Sequence, residues 1–143
     1  MSAADSLDVD TPAERIQTLD VVHCYELLAT DTVGRVVYTD GAMPAITPVN
    51  YVLEGHHVIF RTAAGSRLAR AVSGAVVAFE VDQLDRATRT GWSVVVTGVA
   101  RELGEGSGQG RNAALTLAPW AGGSRPSAFA IAPGVVTGRW VGP

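Results

Sequence analysis

The run VGRVVYTDGAMPAITPVNYVLEGHHVIFRT, residues 33–62, sets the fold class. Its apolar residues recur at the period of β structure, and its breaks fall on residues that turn chains. Val33–Thr39 reads as one strand, Asp40-Gly41 as a tight turn and Ala45–Leu53 as the returning strand. Glu54-Gly55-His56 then turns the chain into a third strand, His57–Thr62. Pro44 and Pro48 cannot donate ladder hydrogen bonds, so the second strand must be interrupted or lie partly at an edge.

Outward from this run, the pattern stays short and β-rich. Upstream, Val22, Tyr25, Leu27 and Leu28 form a helical stripe over Asp20–Ala29, with Asp20 as its N-cap. Before that, residues 1–13 read as a polar, mobile lead-in, and Thr11 and Glu14 have capping-box spacing around Pro12. Downstream, Gly65 leads into a short helix, Ser66–Val72, followed by strands over Ala75–Val81 and Trp92–Glu102. Residues 104–111 hold four glycines and predict a loop, and Asn112–Ala118 predicts a short helix. Ser127–Ala132 and Val135–Val141 predict a closing hairpin around Pro133-Gly134. Six or seven strands with few helices make a mainly β, barrel-like single domain over residues 1–143, since a doubly wound sheet would need a helix after most strands.

Composition narrows the function. The chain has 143 residues and 47% hydrophobic content, enough for one core. Only 17% of residues are charged; all 11 basic residues are Arg, and the net charge is -3. That balance argues against a broad basic surface for nucleic acid, while leaving room for a local Arg cluster that grips a small anion. Few surface charges with high apolar content also predict a homo-oligomer. Cys24 is the single cysteine, which excludes an intrachain disulfide and a multi-thiolate metal site. The acidic first ten residues are no secretory signal, and no apolar run is long enough for a spanning helix, so the expectation is a cytoplasmic protein off the membrane.

The segment Phe60-Arg61-Thr62-Ala63-Ala64-Gly65-Ser66-Arg67-Leu68 carries the chemistry. A strand ends, a small-residue loop turns, and a helix begins at Ser66. Unpaired N–H groups at a helix start suit a phosphate. Thr62 and Ser66 add hydroxyls, while Arg61 and Arg67 add forked, permanent charges, with Arg70 on the same helix face as Arg67. A plain N-cap at Ser66 with solvated Arg67 and Arg70 would account for the same residues.

The stretch from Cys24 to Glu102 resembles the pyridoxamine 5'-phosphate oxidase-like superfamily, the FMN-binding split β-barrels, and is most similar to their short actinobacterial members. The resemblance rests on an ordered set: Val33-Gly34-Arg35-Val36, Pro48-Val49-Asn50-Tyr51, Phe60-Arg61-Thr62 with Gly65-Ser66-Arg67-Leu68, Val77-Ala78-Phe79-Glu80-Val81-Asp82, and Gly91-Trp92-Ser93-Val94-Val95-Val96-Thr97-Gly98. It implies a six- to seven-stranded split β-barrel with a few short helices. It also implies that Arg61, Thr62, Ser66 and Arg67 hold a flavin phosphate, with Pro48, Val49, Asn50 and Tyr51 along the ring system. Trp92 and Ser93 would reach a flavin held mainly by the other subunit of a homodimer.

The chain departs from the oxidases in three places. Leu68 stands where they carry a basic residue after the Arg, which removes one phosphate contact. Pro48-Val49-Asn50 replaces a strand motif ending in Lys. Arg139-Trp140 is too loose a likeness to their C-terminal Trp and Arg to take that role. These departures count against vitamin B6 oxidation. The resemblance therefore implies an FMN-dependent oxidoreductase acting on a small molecule of unknown identity. The alternatives are a reductase using the 8-hydroxy-5-deazaflavin coenzyme in the same groove, or a non-catalytic barrel that binds flavin, haem or nothing. Flavin chemistry asks the protein for anchoring and orientation rather than a nucleophile, so no catalytic residue is expected.

Other candidates are weaker. His56 and His57 are neighbours that point to opposite strand faces or sit in a turn, so a shared metal is not expected. Cys24 beside His23 reads as a buried structural thiol. Glu80 and Asp82 share a strand face, and a carboxylate pair alone is common. Trp92, Trp120 and Trp140 read as core or interface residues, with Trp92 equally placed to touch a flavin ring.

Overall fold

Alternation is most regular from Gly91 to Ala100, where Trp92, Val94, Val96 and Ala100 point into the core and Ser93, Val95, Thr97 and Val99 point outward. That pattern makes a strand with one buried face. The computed structural model describes residues 16–104, 114, 117 and 126–142. The elements are β1 (Ile16–Leu19), α1 (Val21–Leu28), β2 (Val33–Asp40), β3 (Met43–Glu54), β4 (His57–Ala63), α2 (Arg67–Val72), β5 (Val76–Asp85), β6 (Thr90–Glu102), β7 (Pro126–Ile131) and β8 (Val135–Val141). The fold is mostly antiparallel β with few helices, as the split-barrel reading requires.

The strands pair in the order β1-β8-β6-β5-β2-β3-β4-β7, and β7 returns to β6. Six strands, β2 to β7, thus close a ring, while β8 and β1 extend the sheet beyond β6. The total of eight exceeds the six or seven expected, because Ile16–Leu19 is a strand as well. Its four residues carry no alternation of their own and are held by pairing with β8, Ile16 opposite Val141 through Leu19 opposite Gly138.

The expected hairpin between the last two strands is not formed. β7 pairs with β4 and with residues 100–102 of β6, whereas β8 pairs with residues 91–97 of β6. The two lie end to end along one edge of β6. Ala132 N donates to Val99 O (3.2 Å) and Gly134 N to Thr97 O (3.0 Å), so the chain stays against β6 through Pro133-Gly134. Gly98 permits this, because a Cβ there would be driven into the Ala132 carbonyl oxygen.

Two further boundaries move. The tight turn is Gly41-Ala42 rather than Asp40-Gly41, since Asp40 pairs with Met43, and both turn residues have positive φ. The β5–β6 hairpin runs on to Asp85 and Thr90, past the point where apolar alternation fades. The Thr11–Glu14 capping box, Trp120, the glycine-rich loop beyond Gly104 and most of the 112–118 helix lie outside the described residues; Ala114 is helical and buried.

Inside the ring, Phe60 stacks on Phe129 (5.4 Å between centroids), and Tyr51 meets Phe79 edge-on (4.9 Å). Gly34 leaves the space that the Phe79 ring fills. Buried tyrosines keep their hydroxyls bonded, Tyr25 to the His56 carbonyl (2.9 Å) and Tyr51 to the Leu28 carbonyl. Asp20 caps α1 as expected, accepting from His23 N (2.8 Å), and Cys24 is fully buried beneath Gly138. Among the described residues no helix is long and apolar enough to cross a membrane.

Candidate functional site

The barrel opens where β3 changes partner. Residues 43–50 of β3 pair with β2, and residues 51–54 pair with β4. Pro44 and Pro48 fall in the first half, which has a paired strand on one side only, as their missing N–H groups demand. Beyond Phe60, β4 therefore parts from β3 and pairs with β7 alone through Ala63. The short helix α2 seals this parting with buried Leu68, Ala69 and Val72.

The residues singled out in the sequence meet here only in part. Ser66 caps α2, accepting from Ala69 N (3.1 Å), and its hydroxyl lies 3.3 Å from that of Thr62. Gly65 reaches the cap through a positive φ. Arg67 stands at the helix start, largely exposed, with its Nε 3.2 Å from Asp40 Oδ2 at the end of β2. Arg61 is turned away, because adjacent strand residues face opposite sides. Its Nη1 donates to the carbonyls of Leu117 (2.6 Å) and Ala114 (3.3 Å). Thr62, Ser66 and Arg67 are thus gathered, while Arg61 is engaged with the Ala114 and Leu117 carbonyls.

On β3 the same alternation divides the expected ring contacts. Pro48 and Asn50 face outward, and Val49 and Tyr51 are core residues. Val49 can offer a ligand only its backbone. Trp92 also points inward, opposite Gln83 on β5 and Trp140 on β8. Ser93 points outward, opposite Asp82 and Arg139. From Pro48 to the β6 row, β2 and β5 intervene, through the pairs Arg35–Pro48, Arg35–Glu80 and Glu80–Val95. Three strand spacings put the two groups about 14 Å apart within one chain.

The outward sheet face between them has two parts. Ile46, Val37 and Ala78 stand side by side across β3, β2 and β5, and Val76 and Val135 lie exposed on the same face. One row away, Arg35 Nη1 reaches Glu80 Oε1 (3.3 Å) and Asp82 Oδ2 (3.7 Å). Burial and the neighbouring Asp82 push the Glu80 carboxyl up to about 7, with Arg35 pulling the other way. At the β1–β8 border, Ile16, Thr18, Ser93, Val95, Thr137, Gly138 and Arg139 line a depression of about 260 Å³. Of these the sequence reading put Ser93 alone in a site, and it set Arg139 aside. The others are scattered over residues 16–139 and united only by strand pairing. Of the adjacent His residues, His56 lies in the turn and stacks on Tyr25 (4.2 Å between centroids), while His57 opens β4 opposite Glu54.

The sequence profile of the pyridoxamine 5'-phosphate oxidase family matches residues 20–140. The uncharacterized protein Rv0080 of Mycobacterium tuberculosis is 42% identical over 131 residues, 88% of this chain and 86% of its own. Among solved structures, an FAD binding protein from Mycobacterium smegmatis is 31% identical with a TM-score of 0.68, covering 87% of this chain and 97% of that one. A conserved protein of unknown function from Corynebacterium diphtheriae is 32% identical with a TM-score of 0.71, covering 89% and 98%.

Proposed function

This chain belongs to the pyridoxamine 5'-phosphate oxidase-like family, and on that premise we propose that it is a flavin-dependent oxidoreductase working as a homodimer on a small molecule. The observation that carries the reading is the parting of β3 from β4. The paired hydroxyls of Thr62 and Ser66 and the forked charge of Arg67 stand together at its mouth. That set suits the terminal phosphate of FMN, with the ring lying along the outward side of β3 past Pro48 and Asn50. Arg67 would exchange its Asp40 partner for the phosphate. Thr62 and Ser66 would donate hydroxyl hydrogens to it.

A flavin, when bound, supplies the redox chemistry; the chain supplies anchoring, orientation and exclusion of water. Ser93 and the Trp92 segment lie too far along the sheet to serve the same chain's cleft. They would complete the site of a second copy packed against the outward face. The likeness to the Mycobacterium smegmatis FAD binding protein supports a flavin over haem or an empty barrel. We place its work in the cytoplasm.

The test is the absorption spectrum of freshly purified protein, followed by titration with FMN and FAD. A bound flavin, released on denaturation and reduced by a nicotinamide cofactor, supports the assignment. A flavin that neither a nicotinamide cofactor nor oxygen turns over makes the protein a carrier. A colourless chain that quenches neither flavin overturns the reading.

A further inference from the structure

The depression at the β1–β8 border has a polar lining with one cation. Strand pairing sets Thr18, Arg139 and Ser93 side by side across β1, β8 and β6, and sets Thr137 beside Val95 in the next row. Directly opposed side chains on one sheet face stand about 5 Å apart, within reach of one small group. The lining therefore offers a guanidinium fork and three hydroxyls, and it contains no carboxylate. Ile16 and Val95 supply apolar walls.

The same sheet holds an internal comparison. Arg35, also on the outward face, has its charge answered across the strand by Glu80 and Asp82. Asp82 stands opposite Ser93, the nearest acid in register to the depression, and it is already engaged with Arg35 and Glu80. Arg139 has hydroxyls where Arg35 has acids, and among the described residues it makes no ion pair. A permanent charge flanked by hydroxyls and no carboxylate matches an oxyanion, which accepts two parallel bonds from the fork and further ones from the hydroxyls. A space of about 260 Å³ fits a head group rather than a whole cofactor.

We propose that Arg139, Ser93, Thr18 and Thr137 form a subsite for a phosphoryl or carboxylate group. In the ligand this group would be either the second phosphate of an FAD-type dinucleotide whose first phosphate sits in the cleft of a second copy, or the anionic head of a substrate. The subsite itself does not depend on flavin binding.

The probe is inorganic phosphate, added to isotope-labelled protein and followed by amide NMR against sodium chloride at equal ionic strength. Saturable shifts are expected at Thr18, Ser93 and Arg139. Arg139→Gln, whose exposed site leaves the fold intact, should weaken them at least about ten-fold, while Arg67→Ala leaves them unchanged. Shifts that chloride reproduces, that miss these residues, or that persist in Arg139→Gln overturn the proposal.

Flavin titrations then identify the source of the anion. FAD weakened about ten-fold in Arg139→Gln with FMN unchanged assigns the subsite to the dinucleotide. Both flavins unchanged, with the phosphate shifts lost, assigns it to another ligand's head group. A protein that binds phosphate here and no flavin anywhere would refute the proposed function and leave this subsite standing.

Discussion

Arg67 is the side chain on which the proposed phosphate contact rests most directly. It is mostly exposed and paired to Asp40 at 3.2 Å, so its removal should leave the fold intact. Because FMN carries a phosphate and riboflavin does not, Arg67→Ala should weaken FMN by about ten- to one-hundred-fold and riboflavin little, as fluorescence titrations would read. Equal weakening would remove the phosphate from the α2 start. Glu80 gives a second residue-scale expectation. Its carboxyl is raised from 4.5 to about 7 by burial and by Asp82, so between those values the folded chain keeps a proton that the unfolded chain has released. Stability should therefore fall as pH rises through that window and level off above it. Glu80→Gln, neutral throughout, should flatten the slope, measured as the urea midpoint against pH. The sequence placed both acids on one face. It could not supply Arg35, which lies 45 residues from Glu80.

At the scale of elements, the prolines of β3 were legible as edge markers and the edge is where they stand. What the sequence hid was that this edge is the opening of the barrel. The two-residue turn slipped by one position, which leaves Ala42 at a φ of 69° where glycine is preferred. Ala42→Gly should relieve that strain and stabilise the chain by up to about 1 kcal/mol, raising Tm by a few degrees in a thermal melt. Gly98 works in the opposite sense. It lets the Ala132 carbonyl close onto β6 where β7 gives way to β8. Gly98→Ala should cost at least about 2 kcal/mol by chemical denaturation, since backbone rather than a flexible side chain would have to yield. Pro133-Gly134 looked like a hairpin because local sequence reports the break in a strand and not the direction taken after it.

Across the whole molecule, the outward face of β3, β2 and β5 is the proposed seat of a second copy. Ile46 is 64% exposed, with Val37 and Ala78 beside it across the strands, and Val76 and Val135 are also exposed on this face. A second copy seated there would bury these side chains and bring its Ser93 toward the first copy's cleft. Ile46→Glu should shift sedimentation toward the monomer and weaken flavin binding with it, without lowering the stability of the single chain. A wild-type monomer would refute the two-copy site. Seven of the eight strands, the two caps at Asp20 and Ser66 and the family were legible in the chain alone, because alternation, turn residues and capping are local properties; β1, without alternation of its own, was not. The folded chain alone reveals that Arg61 faces away from Ser66, that β7 and β8 share one edge of β6, and that Thr18, Ser93 and Arg139 stand together. Each of these depends on strand register, and register is fixed by pairing between segments far apart in the chain.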